Sequence, residues 1–339
     1  MPEASVIIPA YNHAGYIAEA VHSVLDQIQP DLELIVVDDG STDDTLDVLA
    51  AISDPRMRVI TQPNRGAHAA INRGLAQASG RFLAILNSDD AYHPNRLQQM
   101  LAELEADPSL GLAGSFIEVV DSQGQPLGVK HGYKDLEPWA LEAPQQSFRA
   151  GDDLRAALLT ENYWSTTSNF VFRRDWFERA GEFRPLRYTH DWDFALRMAR
   201  LAPLSLLPQP LLRYRVHESN TIRENRAAMV FELCWCLAVH LPGHIEDTWF
   251  GGAAMAERQD QLLHSIYVYG FDRVLAVMLL QRLAERPDLA LQLLEPDDPG
   301  RAKYLDYIQS RLSSVGAGRA AGPFAARLNR LKAHLLGAA

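Results

Sequence analysis

Two short apolar runs in this chain end in paired acids. Leu34-Ile35-Val36-Val37 leads directly into Asp38-Asp39-Gly40-Ser41, and Phe82-Leu83-Ala84-Ile85-Leu86 into Asn87-Ser88-Asp89-Asp90. Short apolar runs bounded by turn residues read as buried parallel strands. Open α/β sheets bind their ligands beyond the carboxyl ends of such strands. Uncapped carboxylates at two of these ends suggest a cation-dependent site for a polyphosphate, since Mg²⁺ and Mn²⁺ take oxygen ligands, commonly one or two carboxylates plus substrate phosphates. In Asn87-Ser88-Asp89-Asp90 one carboxylate can hold the metal while its neighbour accepts from a ribose hydroxyl. A plainer alternative has Asp90 capping the helix near Pro94, which leaves Asp89 unexplained. Asp39 suits the ring N–H of a uracil-type base or a purine amino group. Its plainer alternative is a turn residue before a Ser41 cap.

Neighbouring segments add candidates. Pro9-Ala10-Tyr11-Asn12 follows the first apolar run and can floor a base, with Tyr11 stacking on it. Asn64-Arg65-Gly66-Ala67-His68 allows close backbone approach at Gly66 and offers a helix N-terminus to an anion. Arg215 and His217 alternate onto one face of a strand. Tyr163, Trp164, Tyr188 and Trp192 are candidates for an acceptor groove, because sugar C–H faces pack on aromatic rings. Trp164 is the preferred one.

The elements that must position these residues alternate in type. Strand patterns at 5–8, 32–37, 58–60 and 81–86 are separated by helix patterns at 15–27, after Ser41, and at 66–78. Another helix starts at Pro94, as proline in a first turn favours, and 110–120 is strand-like. This alternation predicts a mostly parallel α/β sheet with right-handed crossovers. Regularity fades after Val120, and the stretch to about Ala150 reads as a variable insertion. A strand at 168–173, a helix at 192–202 and a strand at 211–216 follow. From about Thr221 the pattern is helix after helix. A Gly/Ala/Ser-rich linker near 313–322 precedes an amphipathic basic segment, Phe324 to Leu336.

Composition narrows the class. The chain has 339 residues, 47% apolar and 22% charged, as in ordinary soluble globular proteins. Its formal net charge of -11 excludes a general nucleic-acid binder, which would carry a basic footprint. The two cysteines, Cys234 and Cys236, indicate neither a disulfide framework nor a zinc site and fit a reducing cytoplasm. Met1-Pro2-Glu3-Ala4 lacks the basic start of a signal peptide, and no apolar run reaches membrane-spanning length.

Taken together, Ser5-Val6-Ile7-Ile8-Pro9-Ala10-Tyr11-Asn12, Val36 to Asp43, Asn64-Arg65-Gly66, Asn72-Arg73-Gly74 and Asn87-Ser88-Asp89-Asp90 resemble the family 2 glycosyltransferases of the GT-A fold. The likeness is close over about 4–120 and resumes over 167–220. It implies an inverting enzyme that uses a nucleotide-diphospho-sugar, most simply a UDP-sugar, and a divalent cation, Mn²⁺ or Mg²⁺. It also implies a donor pocket of Pro9, Tyr11, Asp39, Asn64, Gly66, Arg73, Asp89 and Arg215. Asp39 would meet the base and Asp89 the ribose or sugar, while Asp90 and His217 would serve the metal and diphosphate. Asn87 stands where the family's Asp-x-Asp motif usually begins.

Inversion needs a carboxylate to take the acceptor hydroxyl proton. Thr189-His190-Asp191-Trp192-Asp193 resembles the family's Glu-Asp-aromatic segment, with Asp191 as base and His190 in place of the Glu. Asp193 is the alternative, though two residues along a helix start it should face elsewhere.

The implied organisation is a catalytic domain at 1–220, a helical region at 221–313, and a linker with tail helix at 314–339. The implied acceptor is a glycan or lipid-linked glycan, as in building a surface polysaccharide. A polyprenyl-phosphate acceptor and a catalytically silent scaffold are the competing readings; a nucleotidyltransferase is weaker, since Pro9-Ala10-Tyr11-Asn12 is not a Gly-rich pyrophosphate loop. The tail segment allows packing on its own domain, contact with the inner face of a membrane, or a partner. Homo-oligomerisation stays open.

Overall fold

In the computed structural model, the described residues are 2–28, 31–130, 158, 162–217, 225–244 and 273–316. The tail segment 324–336 and most of the insertion lie outside them. The chain divides into two compact units, Met1–Arg155 with Asn162–Glu218, and Ala156–Glu161 with Ser219–Ala339.

The first unit is built on one nine-stranded sheet. In chain order its elements are β1 (Ala4–Ala10), α1 (Ile17–Leu25), β2 (Leu32–Asp38), α2 (Thr45–Ala50), β3 (Met57–Thr61), α3 (Ala67–Gln77), β4 (Phe82–Ile85), β5 (Ala91–Tyr92), α4 (Arg96–Ala106), β6 (Leu112–Val120) and β7 (Pro126–Lys130). A 3-10 turn (Thr167–Asn169), β8 (Val171–Arg173), α5 (Arg174–Ala180), α6 (His190–Leu201) and β9 (Leu204–Arg215) complete it. The strand order is β3-β2-β1-β4-β8-β6-β9-β5, with β7 paired to β6. The β3-β2-β1-β4 half is wholly parallel, and β6 and β9 are also parallel. β8 runs antiparallel to both of its neighbours, and β5 and β7 pair antiparallel at the margins.

Burial on both faces explains the uninterrupted apolar strands. Val6 and Ile8 of β1 share a core with Ile17, Val21 and Val24 of α1 and with Leu97, Met100 and Leu104 of α4. Ile35 and Val37 of β2 pack on the other face against Ala70 of α3. On that face a Cβ at Gly74 would come within 2.5 Å of the Ile7 side chain. The glycine of Asn72-Arg73-Gly74 thus lets α3 sit against β1. Asn72 itself holds the Phe183 backbone, donating to its carbonyl at 2.8 Å and accepting from its N–H at 2.9 Å.

The structure departs from the sequence reading in several elements. β9 begins at Leu204, not near 211, because register shifts in its pairing with β6 let it pass Pro208 and Pro210. The stretch read as a strand at 168–173 is a 3-10 turn followed by three strand residues. The beginning of the expected insertion forms a hairpin strand, β7. α5 and β5 had no clear periodic signal, being short.

The second unit is helical where described: α7 (Arg226–His244), α8 (Arg273–Glu285), α9 (Leu289–Gln292) and α10 (Pro299–Gly316). α10 occupies the start of the expected linker. Phe231, Trp235, Leu275, Leu279, Tyr304 and Ile308 are buried, and Phe231 stacks on Tyr304 with 6.3 Å between centroids. Cys234 and Cys236 are buried free thiols. No helix among the described residues is long and apolar enough to cross a membrane.

Trp164 lies wholly buried against Gly114 of β6, and a Cβ at Gly114 would fall into the indole ring. Gly114→Ala should therefore cost about 1–3 kcal/mol, as overpacking of a filled core does. Thermal unfolding of the variant checks this, and an unchanged melting temperature would refute the packing argument.

Candidate active site

The ends of β1, β2 and β4 gather the sequence candidates on one edge of the sheet. Tyr11 stands 44% exposed just past β1, available for stacking. Asn12, in the left-handed region at φ 54°, accepts from the Thr42 N–H at 2.7 Å, and its own N–H donates to Ser41 Oγ at 3.0 Å. The turns after β1 and β2 are thereby joined. Gly40, at φ 77°, permits the same turn to approach the backbone of Asn64, which a Cβ would meet at 2.9 Å.

Asp39 organises the loop after β3. Its Oδ1 accepts from Gln62 Nε2 at 2.7 Å and from the Arg65 N–H at 2.9 Å, while Oδ2 accepts from the Gly66 N–H at 2.8 Å. A carboxylate oxygen has two lone-pair directions, so Oδ2 keeps capacity for a base. Arg73 reaches Gln62 Oε1 at 3.4 Å and backs this arrangement. Gly66, at φ 89°, caps α3, and Asn64 is exposed beside it.

Asn87, Asp89 and Asp90 point to three different tasks. Asn87 donates from Nδ2 to Thr166 Oγ1 and accepts at Oδ1 from Thr167 Oγ1, each at 2.9 Å. Asp90 is buried; its Oδ2 meets Ser168 Oγ at 2.5 Å and its Oδ1 accepts from the Arg215 N–H at 2.9 Å. Burial, reinforced by the Asp89 charge, pushes the Asp90 carboxyl well above the usual range. Asp89 faces His217 instead, with Oδ2 at 3.0 Å from Nε2. Although burial opposes it, the His217 hydrogen bond and the nearby His13 and His217 rings hold the Asp89 carboxyl below its usual value. Among the described residues, the side chains able to share a cation are His13, Asp89 and His217, whose ligand atoms lie within 4.8 Å of one another. Asp90, expected as the metal carboxylate, uses one direction of each oxygen on Ser168 and the Arg215 backbone, whereas Asp89 is the carboxylate that faces the two histidines.

Arg215 is likewise turned inward. It is 2% exposed, and it donates to Glu19 Oε2 at 2.6 Å, the Asp89 carbonyl at 2.9 Å and the Asp121 carbonyl at 3.2 Å. Its guanidinium lies 5.1 Å from the Tyr16 ring centroid, and that ring also stacks on His217 at 5.1 Å. Arg215, expected at the diphosphate, thus packs with Tyr16 and His217 in one row.

The base candidates separate by partners. Asp191 opens α6, with Oδ1 accepting from the Trp192 N–H at 2.7 Å and Oδ2 from Asn162 Nδ2 at 2.8 Å. Burial outweighs these bonds and the Lys130 charge, and raises the Asp191 carboxyl to about 6. Asp193 is fully buried between Arg184 at 2.8 Å and Arg197 at 3.0 Å, an internal ion pair. His190, pushed down to about 4 by burial, is neutral and packs near Phe183. Trp164, Tyr163 and Trp192 are 0%, 2% and 4% exposed, so the expected aromatic groove does not form from them. Tyr188 alone of the four is partly open.

His13, Tyr16, Gln62, Asn162 and Ser168 were absent from the sequence candidates. His13 is one residue beyond Pro9-Ala10-Tyr11-Asn12, and that closeness was the available signal. The others meet the site through partners from 23 residues away, Gln62 to Asp39, to as far as Tyr16 to His217, which no local pattern reveals.

A family model described as glycosyl transferase family 2 matches residues 5–181. A glycosyltransferase of Nostoc sp. is 30% identical over 224 residues, 64% of this chain and 65% of its own length. A Bacillus subtilis protein named for teichuronic acid biosynthesis, TuaG, is 40% identical over 129 residues, 37% of this chain and 51% of its own length. The chain thus spans about two thirds or less of these two relatives. S. aureus TarS 1-349, solved in complex with UDP, matches the fold with a TM-score of 0.56 at 20% identity, over 94% of this chain and 92% of its own.

The raised Asp191 carboxyl carries a stability consequence. A carboxyl whose folded value lies above its unfolded one favours the protonated form on folding. Its contribution is present below about pH 4 and is lost as pH rises through about 6. At pH 8 the buried charge should cost about 1–3 kcal/mol. Asp191→Asn should therefore melt a few degrees higher than wild type at pH 8 and level with it at pH 4. Equal melting temperatures at both pH values would contradict the burial argument.

Proposed function

Because the chain belongs to glycosyl transferase family 2, we propose that it is an inverting transferase that moves a sugar from a nucleotide-diphospho-sugar, most simply UDP-linked, to a hydroxyl of a glycan or glycoconjugate. One segment carries this reading. Residues 162–169 hold Asp191 at one end, through Asn162, and the Asn87–Asp90 turn at the other, through Thr166, Thr167 and Ser168. A base for the acceptor and a cation-holding turn for the donor are thus parts of one hydrogen-bonded frame. Support for a uracil base comes from the exposed Tyr11 ring, the open direction at Asp39 Oδ2, and the UDP bound by TarS. The TuaG likeness favours a cell-surface polysaccharide as the acceptor class.

The chemistry needs few groups. Asp191, ionised above about pH 6, takes the proton of the acceptor hydroxyl as that oxygen attacks the anomeric carbon. The bond to the diphosphate breaks on the opposite face, and the nucleoside diphosphate leaves. Asp89 and His217, with His13 beside them, would hold a divalent cation, which would neutralise charge on the leaving diphosphate.

Asp191→Asn should bind UDP as wild type does but lose turnover by ~10²–10⁴-fold, the usual contribution of a general base. The wild-type rate should rise with pH through an apparent value near 6. Single-turnover transfer at saturating UDP-sugar measures both, and a variant within a few-fold of wild type would remove Asp191 from the role. Asp89→Asn should abolish the Mn²⁺-dependent part of UDP binding in calorimetry, and an unchanged affinity would refute the cation assignment.

A further inference from the structure

We propose that His13 is a third protein ligand, so that His13, Asp89 and His217 bind a divalent transition-metal ion in the absence of nucleotide and prefer it to Mg²⁺. This rests on the cation reading of the site given above and adds to it a ligand and a selectivity.

His13 Nδ1 lies 2.7 Å from Ser88 Oγ, which leaves Nε2 for a metal. Histidine ligands are ordinarily oriented in this way, by a hydrogen bond at the other ring nitrogen. The ring stands edge-on to His217 at 5.8 Å and to Tyr16 at 6.0 Å. Its backbone is pinned as well, since the His13 N–H donates to Thr45 Oγ1 at 3.0 Å. His217 is held from the other side by its stack on Tyr16. Ligand atoms ~2.1 Å from one ion are at most about 4.2 Å apart. One ligand atom from each of the three lies within 4.8 Å of the others, slightly beyond that limit.

The donor set decides the preference. Mg²⁺ favours carboxylates and phosphates and gives up its waters reluctantly. Here the nearby second carboxylate, Asp90, is tied to Ser168 and to the Arg215 backbone. The trio offers one carboxylate and two imidazoles, and imidazole favours later first-row ions. A site with three protein ligands also needs no diphosphate to complete it. Open coordination positions remain for the donor when it arrives.

The test uses the full-length, nucleotide-free protein titrated with Co²⁺, followed by visible d–d absorption, and with Mn²⁺ and Mg²⁺ by calorimetry. Wild type should bind one Co²⁺, and Mg²⁺ at least tenfold more weakly. His13→Ala and His13→Gln should each weaken Co²⁺ binding at least tenfold and change the absorption envelope. Melting curves establish that both variants are folded. Asp89→Asn should also lose the band, excluding cobalt held by other histidines. Co²⁺ affinity within twofold of wild type in both folded His13 variants would overturn the proposal. So would Co²⁺ binding that appears only after UDP is added and is indifferent to His13, an outcome that leaves the cation-assisted transferase intact. Failure of Co²⁺ and Mn²⁺ to bind with or without UDP would bring down both.

Discussion

The Asp90 carboxylate is the constraint on which the rest of the site depends. It is 2% exposed, and a buried carboxylate is tolerated only where hydrogen bonds replace water. Its two partners, Ser168 Oγ and the Arg215 N–H, come from segments 78 and 125 residues away. Ser168 also accepts from the Asn87 N–H at 2.9 Å. The turn after β4, the 3-10 turn before β8 and the end of β9 are thereby fixed to one another. Each carries something the site needs: Asp89 on the first, the path to Asn162 on the second, His217 just beyond the third. Arg96 supports the arrangement from the core. It is wholly buried, donates to Ser115 Oγ at 2.7 Å and Asn169 Oδ1 at 3.1 Å, and lies over the Tyr92 ring at 4.8 Å. Removing one member would leave a buried charge or donor unmatched, a larger loss than the bond itself.

Neighbouring carboxylates in this unit meet opposite fates for physical reasons. Asp193 has two arginines and serves structure. Asp191, two residues earlier, has only amide donors and a more distant lysine, so burial dominates and its proton affinity climbs towards neutrality. A carboxylate so placed is a better base than an exposed one, and the fold is less stable for holding it ionised. Asp89 and Asp90 divide in the same manner. Asp89 faces imidazoles and stays charged, whereas Asp90 faces a hydroxyl, an amide and a like charge.

Local patterns made the parallel half of the sheet legible. β1 to β4 are apolar runs closed by turn residues, and α1 and α3 carry clean helical periodicity. The acidic strand ends followed from the same reading. The second half was harder because its strands are marginal or broken: β5 has two residues, β8 three, and β9 passes two prolines. The division of labour within the site was not legible either. That Asp90 turns inward depends on Ser168 and Arg215, and that the Arg215 guanidinium turns inward depends on Glu19. The burial of Trp164 depends on Gly114. These are long-range pairings, and side-chain type alone does not disclose them. The alternation of Arg215 and His217 was legible, and both do meet the Tyr16 ring.

Asn87 shows how a departure from the family pattern can be read as physics. A carboxylate there could accept from Thr167 but could not donate to Thr166. It would also place a further negative charge beside Asp89 and the buried Asp90, where Asp89 already drives the Asp90 carboxyl upward. The amide satisfies both threonines and adds no charge. With Asn87 spent on the frame and Asp90 in the core, Asp89 is left as the carboxylate of the turn that faces the histidines. The amide at 87 thus ties the turn to both threonines and leaves Asp89 beside the two imidazoles.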